Sequence, residues 1–211
     1  MQILAIENST STGSIVLSRD GAVVFEESFS APRGKGSPLF EALQRCLKEK
    51  ENRIDRIAVG TGPGSYNGIR IALAAGKGVQ LVEKADFVAV SSSLCLPVEV
   101  SPYIWFGDAR AGQFHFSEVA NRTFQDGPRL VTREELQVLL TDLGFPAFSD
   151  ITHEGLLGYE VAIPSARILG ELAPPAPVET TMPEPLYLKP PHITLPRNTP
   201  TSQSCIPSRS G

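Results

Sequence analysis

The sequence predicts a mixed α/β fold in which one compact lobe of strands and helices is followed by a second set of strands. Two observations favour this fold class. Apolar segments in the first half alternate between strand-like and helix-like spacing, in the order β-β-β-α-β-α-β. The second half then begins again with a pair of strands, and 211 residues suffice for one large domain or two small lobes.

Seven elements are predicted in the first half. In chain order, the strands cover residues 2–6, 14–18, 22–29, 56–60 and 87–90, one helix starts at Pro38, and a second covers 68–82. The first three strands form an antiparallel meander, because Asp20-Gly21 is a turn signal between the second and the third. Ser37 closes a Gly-rich break and is expected to cap the first helix, as Asn67 caps the second.

The second half starts with a predicted hairpin, whose strands cover residues 103–106 and 113–119. Thr132 and Glu135 have the spacing of a capping box, which predicts a helix through Leu143. Beyond Ile168 the signal for regular structure weakens.

The end of the chain differs in composition. Proline accumulates from residue 174 onwards, and residues 198–211 contain almost no apolar side chains that burial could order. Tyr187-Leu188-Lys189 is expected to dock this region on the body. We therefore divide the chain into an N-terminal lobe at 1–97, a second lobe at 98–190 and a disordered tail at 191–211.

Composition limits the environment and the partners. A formal net charge of −4 provides no concentrated basic face, so we expect any contact with RNA to run through a partner. No apolar run reaches the roughly 20 residues that span a bilayer, and the chain begins directly as a strand, without a signal peptide. The cysteines, Cys46, Cys95 and Cys205, have no metal or redox spacing. These features predict a cytoplasmic protein with reduced thiols and no membrane contact.

The segment GTGPGS at residues 60–65 is the first candidate site. Its glycines permit positive φ and leave backbone N–H groups open, and a helix N-terminus lies just behind it. Such a loop can hold an anion, but it can equally be a tight turn that only packs. It matches neither the phosphate loop GxxxxGK[ST] nor the dinucleotide pattern GxGxxG. The candidate residues for a nucleotide or another anion are Glu7, Ser9, Gly62, Gly64 and Ser65.

The helix after this loop carries small residues at four-residue intervals, Gly68, Ala72 and Gly76. Glycine inside a helix costs about 1 kcal/mol relative to alanine, which suggests a compensating role in close helix packing. The packing partner is either the helix that starts at Pro38 or a helix of another protein.

In the interpretation that we prefer, the chain is a binding module that presents this helix to a partner. The predicted interface consists of Leu39, Leu43 and Leu47 from the first helix and Gly68, Ile69, Ala72, Leu73, Gly76 and Gln80 from the second, flanked by Arg70 and Lys77. Such faces also self-pair, so a homodimer is expected when the partner is absent. Replacing Ala72 by Arg is then expected to prevent association and leave the fold intact.

Four segments resemble one known family. Residues 62–71, GPGSYNGIRI, closely resemble the GPGSFTGLRIG signature of the TsaB (YeaZ) family. The opening ILAIENST at 3–10 is similar to its ILALDTST, GDAR at 107–110 to its DAR turn, and PLYLK at 185–189 to its closing P-x-Y-L-R. These segments occur in the family's order and span most of the chain.

The resemblance implies an ASKHA fold, the architecture of actin-like ATPases and ribonuclease H, with two related α/β lobes of which the second is reduced. It also implies a role in forming N6-threonylcarbamoyladenosine (t6A) at position 37 of tRNAs that read codons beginning with A. In that family the subunit pairs with its paralogue TsaD, which carries the metal and the transferase chemistry, and the ATPase TsaE joins them. The chain itself is then a scaffold without catalytic residues, metal or cofactor of its own, and ATP is expected at most at the interface of the complex.

The sequence departs from the family pattern at three places. Glu7-Asn8 stands where the family has Asp-Thr, which lengthens the carboxylate at the turn where ASKHA ATPases orient a metal-bound nucleotide. This change weighs against independent ATP hydrolysis. Residues 31–38 lack the His-Ser-Glu that usually precedes the first helix, and the stretch after Ser93 is shorter, so we expect altered docking of a partner.

Two enzyme classes remain as alternatives. An ASKHA-type ATPase or small-molecule kinase would place Glu7, Ser9, Gly62 and Gly64 around the phosphates, with Asp108 as a base. Asp108 can equally shape its own turn through an Asx bond to the backbone. A glycoprotease-like metallopeptidase needs a cluster of histidine and carboxylate ligands. The histidines, His115, His153 and His192, form no H-x-x-x-H pair, which weighs against that class.

Overall fold

The computed structural model describes residues 1–30, 38–181 and 183–188. The first half of the chain forms β1 (Gln2–Glu7), β2 (Thr12–Arg19), β3 (Ala22–Ser30), α1 (Pro38–Lys48), β4 (Arg56–Gly60), α2 (Tyr66–Glu83) and β5 (Asp86–Val90). The second half forms β6 (Tyr103–Asp108), β7 (Gln113–Ala120), β8 (Thr123–Thr132), α3 (Arg133–Leu143), β9 (Ala147–Ser149), β10 (Glu160–Val161) and α4 (Ala166–Leu172).

The first sheet has the strand order β3-β2-β1-β4-β5. The strands β1, β2 and β3 form an antiparallel meander, and β4 and β5 continue the sheet parallel to β1. Parallel neighbours require crossover connections, and α1 and α2 lie in these connections. The carboxyl ends of β1, β4 and β5 therefore meet at one edge of the sheet, where the loop at residues 60–65 starts.

The second sheet repeats this plan with the order β10-β9-β6-β7-β8. Its first three strands are again an antiparallel meander, and β9 and β10 are again parallel to the first of them. The repeat is incomplete, because the connection from β9 to β10 contains no helix equivalent to α2 and β10 has only two residues. The predicted α/β fold with two related lobes, the second reduced, is thus confirmed.

Both faces of β1 are buried, which explains its uninterrupted apolar run. Leu4 and Ile6 face α1 and α2, whereas Ile3 and Ala5 face α4 on the opposite side. The helix α4 lies within the range that the sequence assigned to the second lobe, yet it packs on β1, β2 and β4. The chain therefore returns to the first sheet after completing the second, and the division at residue 97 stays a prediction.

The helix starts depend on side-chain caps. The predicted cap of α2 at Asn67 is wrong, because the Ser65 hydroxyl accepts a hydrogen bond from the Gly68 N–H at 3.2 Å and the helix begins at Tyr66. The predicted capping box of α3 is confirmed, since the Thr132 hydroxyl accepts from the Glu135 N–H and the Glu135 carboxylate accepts from the Thr132 N–H.

Three strands and one helix were not predicted from the sequence. The strand β8 contains Asp126-Gly127-Pro128, a sequence typical of turns, and its pairing with β7 shifts register between Phe116 and Glu118. Gly127 is required there, because a Cβ atom would collide with the Phe116 carbonyl oxygen. The strands β9 and β10 are too short to show a periodic pattern, and α4 has only seven residues.

Several predicted features lie outside the described residues, namely the break with its cap at Ser37, Lys189, the tail at 191–211, Cys205 and His192. Cys46 and Cys95 are buried free thiols. Among the described helices, none combines the length and the apolar character that crossing a membrane requires.

The close approach of α2 to its sheet predicts opposite effects for two glycines of the same helix. A Cβ on Gly76 would lie 2.7 Å from Val59 Cγ2 and 3.1 Å from Phe87 Cε2, whereas nothing lies within 4 Å of one on Gly78. We expect Gly76→Ala to lower the free energy of unfolding by about 1–3 kcal/mol through overpacking. Gly78→Ala is the matched control and should raise it by up to about 1 kcal/mol through helix propensity. Urea unfolding at low protein concentration measures both, and equal effects would contradict this account.

Candidate functional site

The carboxylate of Glu7 lies buried at the carboxyl end of β1, where three segments of the chain meet. Glu7 Oε1 accepts a hydrogen bond from the Ser9 N–H at 2.8 Å, and Glu7 Oε2 accepts one from the Ser92 hydroxyl at 2.9 Å. Gly60 has to be glycine, because a Cβ there would collide with this carboxylate. Burial raises the pKa of Glu7, and its hydrogen bonds with Ser9 and Ser92 oppose that rise.

The backbone N–H groups of the loop at 60–65 are largely used within the chain. The Thr61 N–H donates to the Val90 carbonyl at 2.9 Å and the Gly62 N–H to the Ser92 hydroxyl at 3.0 Å. The Ser65 N–H donates to the Ser9 carbonyl at 2.6 Å, and a Cβ on Gly64 would collide with the same oxygen. Pro63 has no N–H to offer. These bonds favour a packed turn over an anion cradle, and an anion site at Glu7, Ser9, Gly62, Gly64 and Ser65 stays a prediction.

Asp108 occupies the same place in the second sheet as Glu7 in the first, the last residue of the central strand. Its Oδ1 accepts a hydrogen bond from the Arg110 N–H at 2.7 Å, which is the Asx geometry that shapes the turn into β7. Asp108 is exposed, and this contact supports its role in the turn rather than as a catalytic base.

The two described histidines lie apart from the glycine loop, in the second half of the chain. His115 is buried in β7, and desolvation lowers its pKa to about 3. His153 Nε2 lies 2.8 Å from the Ser149 hydroxyl. Within residues 1–30, 38–181 and 183–188, no three His, Cys, Asp or Glu side chains are grouped to hold a metal ion.

Most of the predicted partner interface lies inside the protein. Ile69, Ala72, Leu73 and Gly76 of α2, together with Leu39 of α1, are buried between the helices and the first sheet. Gly68 packs against the end of β1, where a Cβ atom would collide with the Asn8 carbonyl oxygen. The side-chain amide of Asn8 also donates a hydrogen bond to the Gly68 carbonyl at 3.0 Å. The stripe of small residues therefore lets α2 approach its own sheet at Gly76 and the end of β1 at Gly68. This packing partner is neither of the two that the sequence predicts, α1 or a helix of another protein.

The expectation for Ala72→Arg needs correction for the same reason. The side chain of Ala72 is fully buried, so an arginine there would enter the core and disturb the fold. A loss of association in Ala72→Arg would therefore not distinguish a disrupted interface from a disrupted fold.

The opposite face of α2 is exposed along its whole length. It consists of a row at four-residue intervals, Tyr66, Arg70, Ala74, Gly78 and Val82. Val82 is 79% exposed and its neighbour Leu81 is 70% exposed. Lys77 and Gln80, which are half-buried, flank this row, and the Lys77 ammonium donates to the Gln80 side-chain oxygen at 2.5 Å.

An apolar groove of about 360 Å³ runs between this row and α1. Its walls include Phe40, Leu43, Leu47, Ala74, Gly78 and Val82, and we call it the α1–α2 groove. Phe40 is 52% exposed at its rim. Leu43 and Leu47 are the predicted interface residues that reach this surface from α1. Ala74, Gly78 and Val82 are not among the predicted interface residues, although their spacing from Tyr66 repeats every four residues.

Comparisons with known proteins agree on one group of relatives. Residues 19–117 match the family model described as "TsaD: tRNA N6-adenosine threonylcarbamoyltransferase". The chain is 23% identical over 201 residues to the tRNA threonylcarbamoyladenosine biosynthesis protein TsaB of Haemophilus influenzae, covering 82% of this chain and 85% of the relative. It is 29% identical over 99 residues to the protein of the same name from Escherichia coli, covering 46% of this chain and 42% of the relative.

Two solved structures share the fold. One is a Pseudomonas aeruginosa protein described as similar to peptidase YeaZ, with a TM-score of 0.72 and 20% identity over 89% of this chain and 99% of that one. The other is YeaZ from Pseudomonas aeruginosa, with a TM-score of 0.64 and 19% identity over 81% of this chain and 89% of that one.

The buried carboxylate predicts a pH dependence of stability. Because burial raises the pKa of Glu7 above its ordinary value of 4.5, the folded state holds the proton more tightly than the unfolded chain. This contribution to stability is complete below pH 4.5 and is lost as the pH rises through the raised pKa. Glu7→Gln has no such proton to lose.

Urea unfolding of the wild type and of Glu7→Gln, from below pH 4.5 upwards, measures how the free energy of unfolding of each depends on pH. The unfolding free energy of the wild type should fall relative to that of Glu7→Gln by up to about 1.4 kcal/mol per pH unit. Parallel pH curves for the two proteins would contradict a raised pKa.

Proposed function

We propose, since this chain belongs to the TsaB (YeaZ) family, that it is a non-catalytic scaffold subunit in the formation of t6A at position 37 of tRNA and acts by pairing with a TsaD protein. The relatives from Haemophilus influenzae and Escherichia coli are named for tRNA threonylcarbamoyladenosine biosynthesis. The observation that carries the scaffold role is the exposed apolar α1–α2 groove.

The groove has the chemistry of a protein interface. Val82 and Phe40, which line the groove, are 79% and 52% exposed, and burying one such side chain completely contributes about 1.5–3 kcal/mol. The middle of the exposed row has no large side chains, because its residues there are Ala74 and Gly78. A partner helix can therefore approach α2 closely. The groove therefore fits the apolar face of a helix.

The match to the TsaD family model suggests which helix of the partner occupies the groove. Because residues 19–117 match the TsaD family model, a TsaD protein is expected to carry a related pair of helices at the same place in its own first lobe. Two such helix pairs can pack face to face about an approximate twofold axis, as in a dimer of identical chains. A homodimer of this chain through the same groove is the competing arrangement.

The net charge of the chain and the packed loop at 60–65 bear on how tRNA and nucleotide are bound. A net charge of −4 favours contact with tRNA through the complex rather than through this chain. Because Thr61, Gly62 and Ser65 use their N–H groups internally, we assign nucleotide handling to the complex, with the ATPase TsaE as a further member and ATP at an interface. We place this assembly in the cytoplasm.

The docking role predicts the effect of one charge in the groove. Val82→Arg should weaken binding to the TsaD protein of the same organism at least about 100-fold, because a long cation replaces an exposed apolar side chain that lines the groove. Isothermal titration calorimetry with the purified proteins measures the affinity. The rate of t6A formation in a reconstituted reaction should fall in parallel.

Val138→Arg is the matched control, because it places the same cation on an exposed valine of α3. It should change the affinity by less than about threefold. Sizing of the chain alone, with and without the Val82 substitution, tests the homodimer. An affinity of Val82→Arg equal to that of the wild type would remove the α1–α2 groove as the docking surface.

The non-catalytic assignment predicts the behaviour of the isolated chain. With magnesium and ATP it should release no phosphate and show no binding heat, because the N–H groups at Thr61, Gly62 and Ser65 already have partners. Phosphate release and calorimetry on the purified chain measure this. Turnover that Glu7→Gln abolishes would instead support the ASKHA-type ATPase or kinase.

A further inference from the structure

The last described part of the chain, residues 173–181 and 183–188, connects the two faces of the first sheet, and we call it the closing segment. It leaves α4 where the Arg56 guanidinium donates to the Ala173 and Pro174 carbonyls at 2.8 and 2.7 Å. It then passes the edge strand β5, where the Glu179 N–H donates to the Phe87 carbonyl at 2.7 Å. The segment thus starts on the side covered by α4 and passes the edge of the sheet.

The closing segment ends at the N-terminus of α2. The Leu186 N–H donates to the Thr61 carbonyl at 2.9 Å, and the Tyr187 ring stacks on the Tyr66 ring with 4.8 Å between centroids. The Arg70 guanidinium lies 5.2 Å from the centroid of the Tyr66 ring and donates to its hydroxyl at 3.1 Å. The expectation that the proline-rich region docks on the body through this motif is therefore confirmed for Tyr187.

This stack is continuous with the exposed face of α2. Tyr66 and Arg70 are the first two residues of the row that continues through Ala74, Gly78 and Val82. A stack that served only to hold the chain would be most effective if its rings were buried, yet Tyr187 is 41% exposed and Tyr66 is 38% exposed. The rings therefore offer aromatic surface on the same exposed row of α2, two turns before Ala74, where the α1–α2 groove begins.

We propose that the closing segment forms part of the docking surface, with Tyr187, Tyr66 and Arg70 in direct contact with the partner. This inference rests on the proposed function, in which the partner is a TsaD protein. Tyrosine and arginine are enriched among the residues that dominate binding energy, and a tyrosine side chain loses little conformational entropy when it is immobilised. The stack holds both rings in place before the partner arrives.

The charge of this face indicates what the partner presents. Among the described residues, neither Arg70 nor Lys77 forms an ion pair, and both lie along the exposed side of α2. The complementary surface therefore carries a carboxylate opposite Arg70 and an apolar or aromatic side chain against the tyrosine rings.

Affinity for the purified TsaD protein tests this contact. Tyr187→Ala should raise the Kd at least about tenfold, whereas Tyr187→Phe keeps the ring and should stay within about threefold of the wild type. The melting temperature of each variant alone separates the two roles of the ring. A residue that only anchors the chain would lower the melting temperature of Tyr187→Ala and leave the affinity unchanged.

Site-specific photo-crosslinking gives a second readout that does not depend on stability. The photoreactive amino acid p-benzoylphenylalanine at position 187 should crosslink to TsaD. The same group in place of Val178, which is exposed on the closing segment beside the β5 edge, should not.

The outcomes separate this inference from the function on which it rests. If Val82→Arg abolishes binding while Tyr187→Ala binds like the wild type and position 187 gives no crosslink, the docking role of the closing segment is overturned and the groove remains. If the wild-type chain does not bind TsaD, the proposed function fails and this inference fails with it.

Discussion

The buried carboxylate of Glu7 sets the constraint on which the first lobe depends. A buried carboxyl group has to find its hydrogen-bond partners in the chain, and here they are the Ser9 backbone N–H and the Ser92 hydroxyl. These contacts join β1 to the residues that follow β5, and they leave no room for a side chain at Gly60. Ser92 also accepts a hydrogen bond from the Gly62 N–H, so the same hydroxyl joins the carboxyl group of Glu7 to the glycine loop that precedes α2.

The position of α2 gives it an inner side that faces the first sheet and an outer side that faces solvent. Its inner side has small residues where it meets β4 and β5, and Gly76 is the clearest case because a methyl group would press on Val59. Its outer side carries a second set of small residues, Ala74 and Gly78, which remain exposed among the described residues. The helix α2 thus has small residues on two faces. Within the described part of the chain, only those of the inner face pack closely against other parts of the protein.

The sequence predicted the fold well because the relevant signals are local or strongly periodic. The apolar run of β1, the capping box at Thr132 and the motif at 62–71 each specify their structure within a few residues. The site was harder to predict, because two rows of small residues alternate on α2 and spacing alone does not say which row faces the sheet. That choice depends on Val59 and Phe87, which are distant in sequence. The short strands β9 and β10 were missed because their pairing is set by the second sheet as a whole.

The missing helix between β9 and β10 has a consequence for stoichiometry. In the described residues the first lobe presents a pair of adjacent helices on one face of its sheet, while the second lobe has α3 without a companion there. A chain with two equivalent docking faces could add subunits at both and grow into a filament, as heterologous contacts allow. The described residues form one such helix pair, and pairing through the docking face proposed above would occupy it. Under that proposal, the reduced second lobe limits growth along this axis to two subunits.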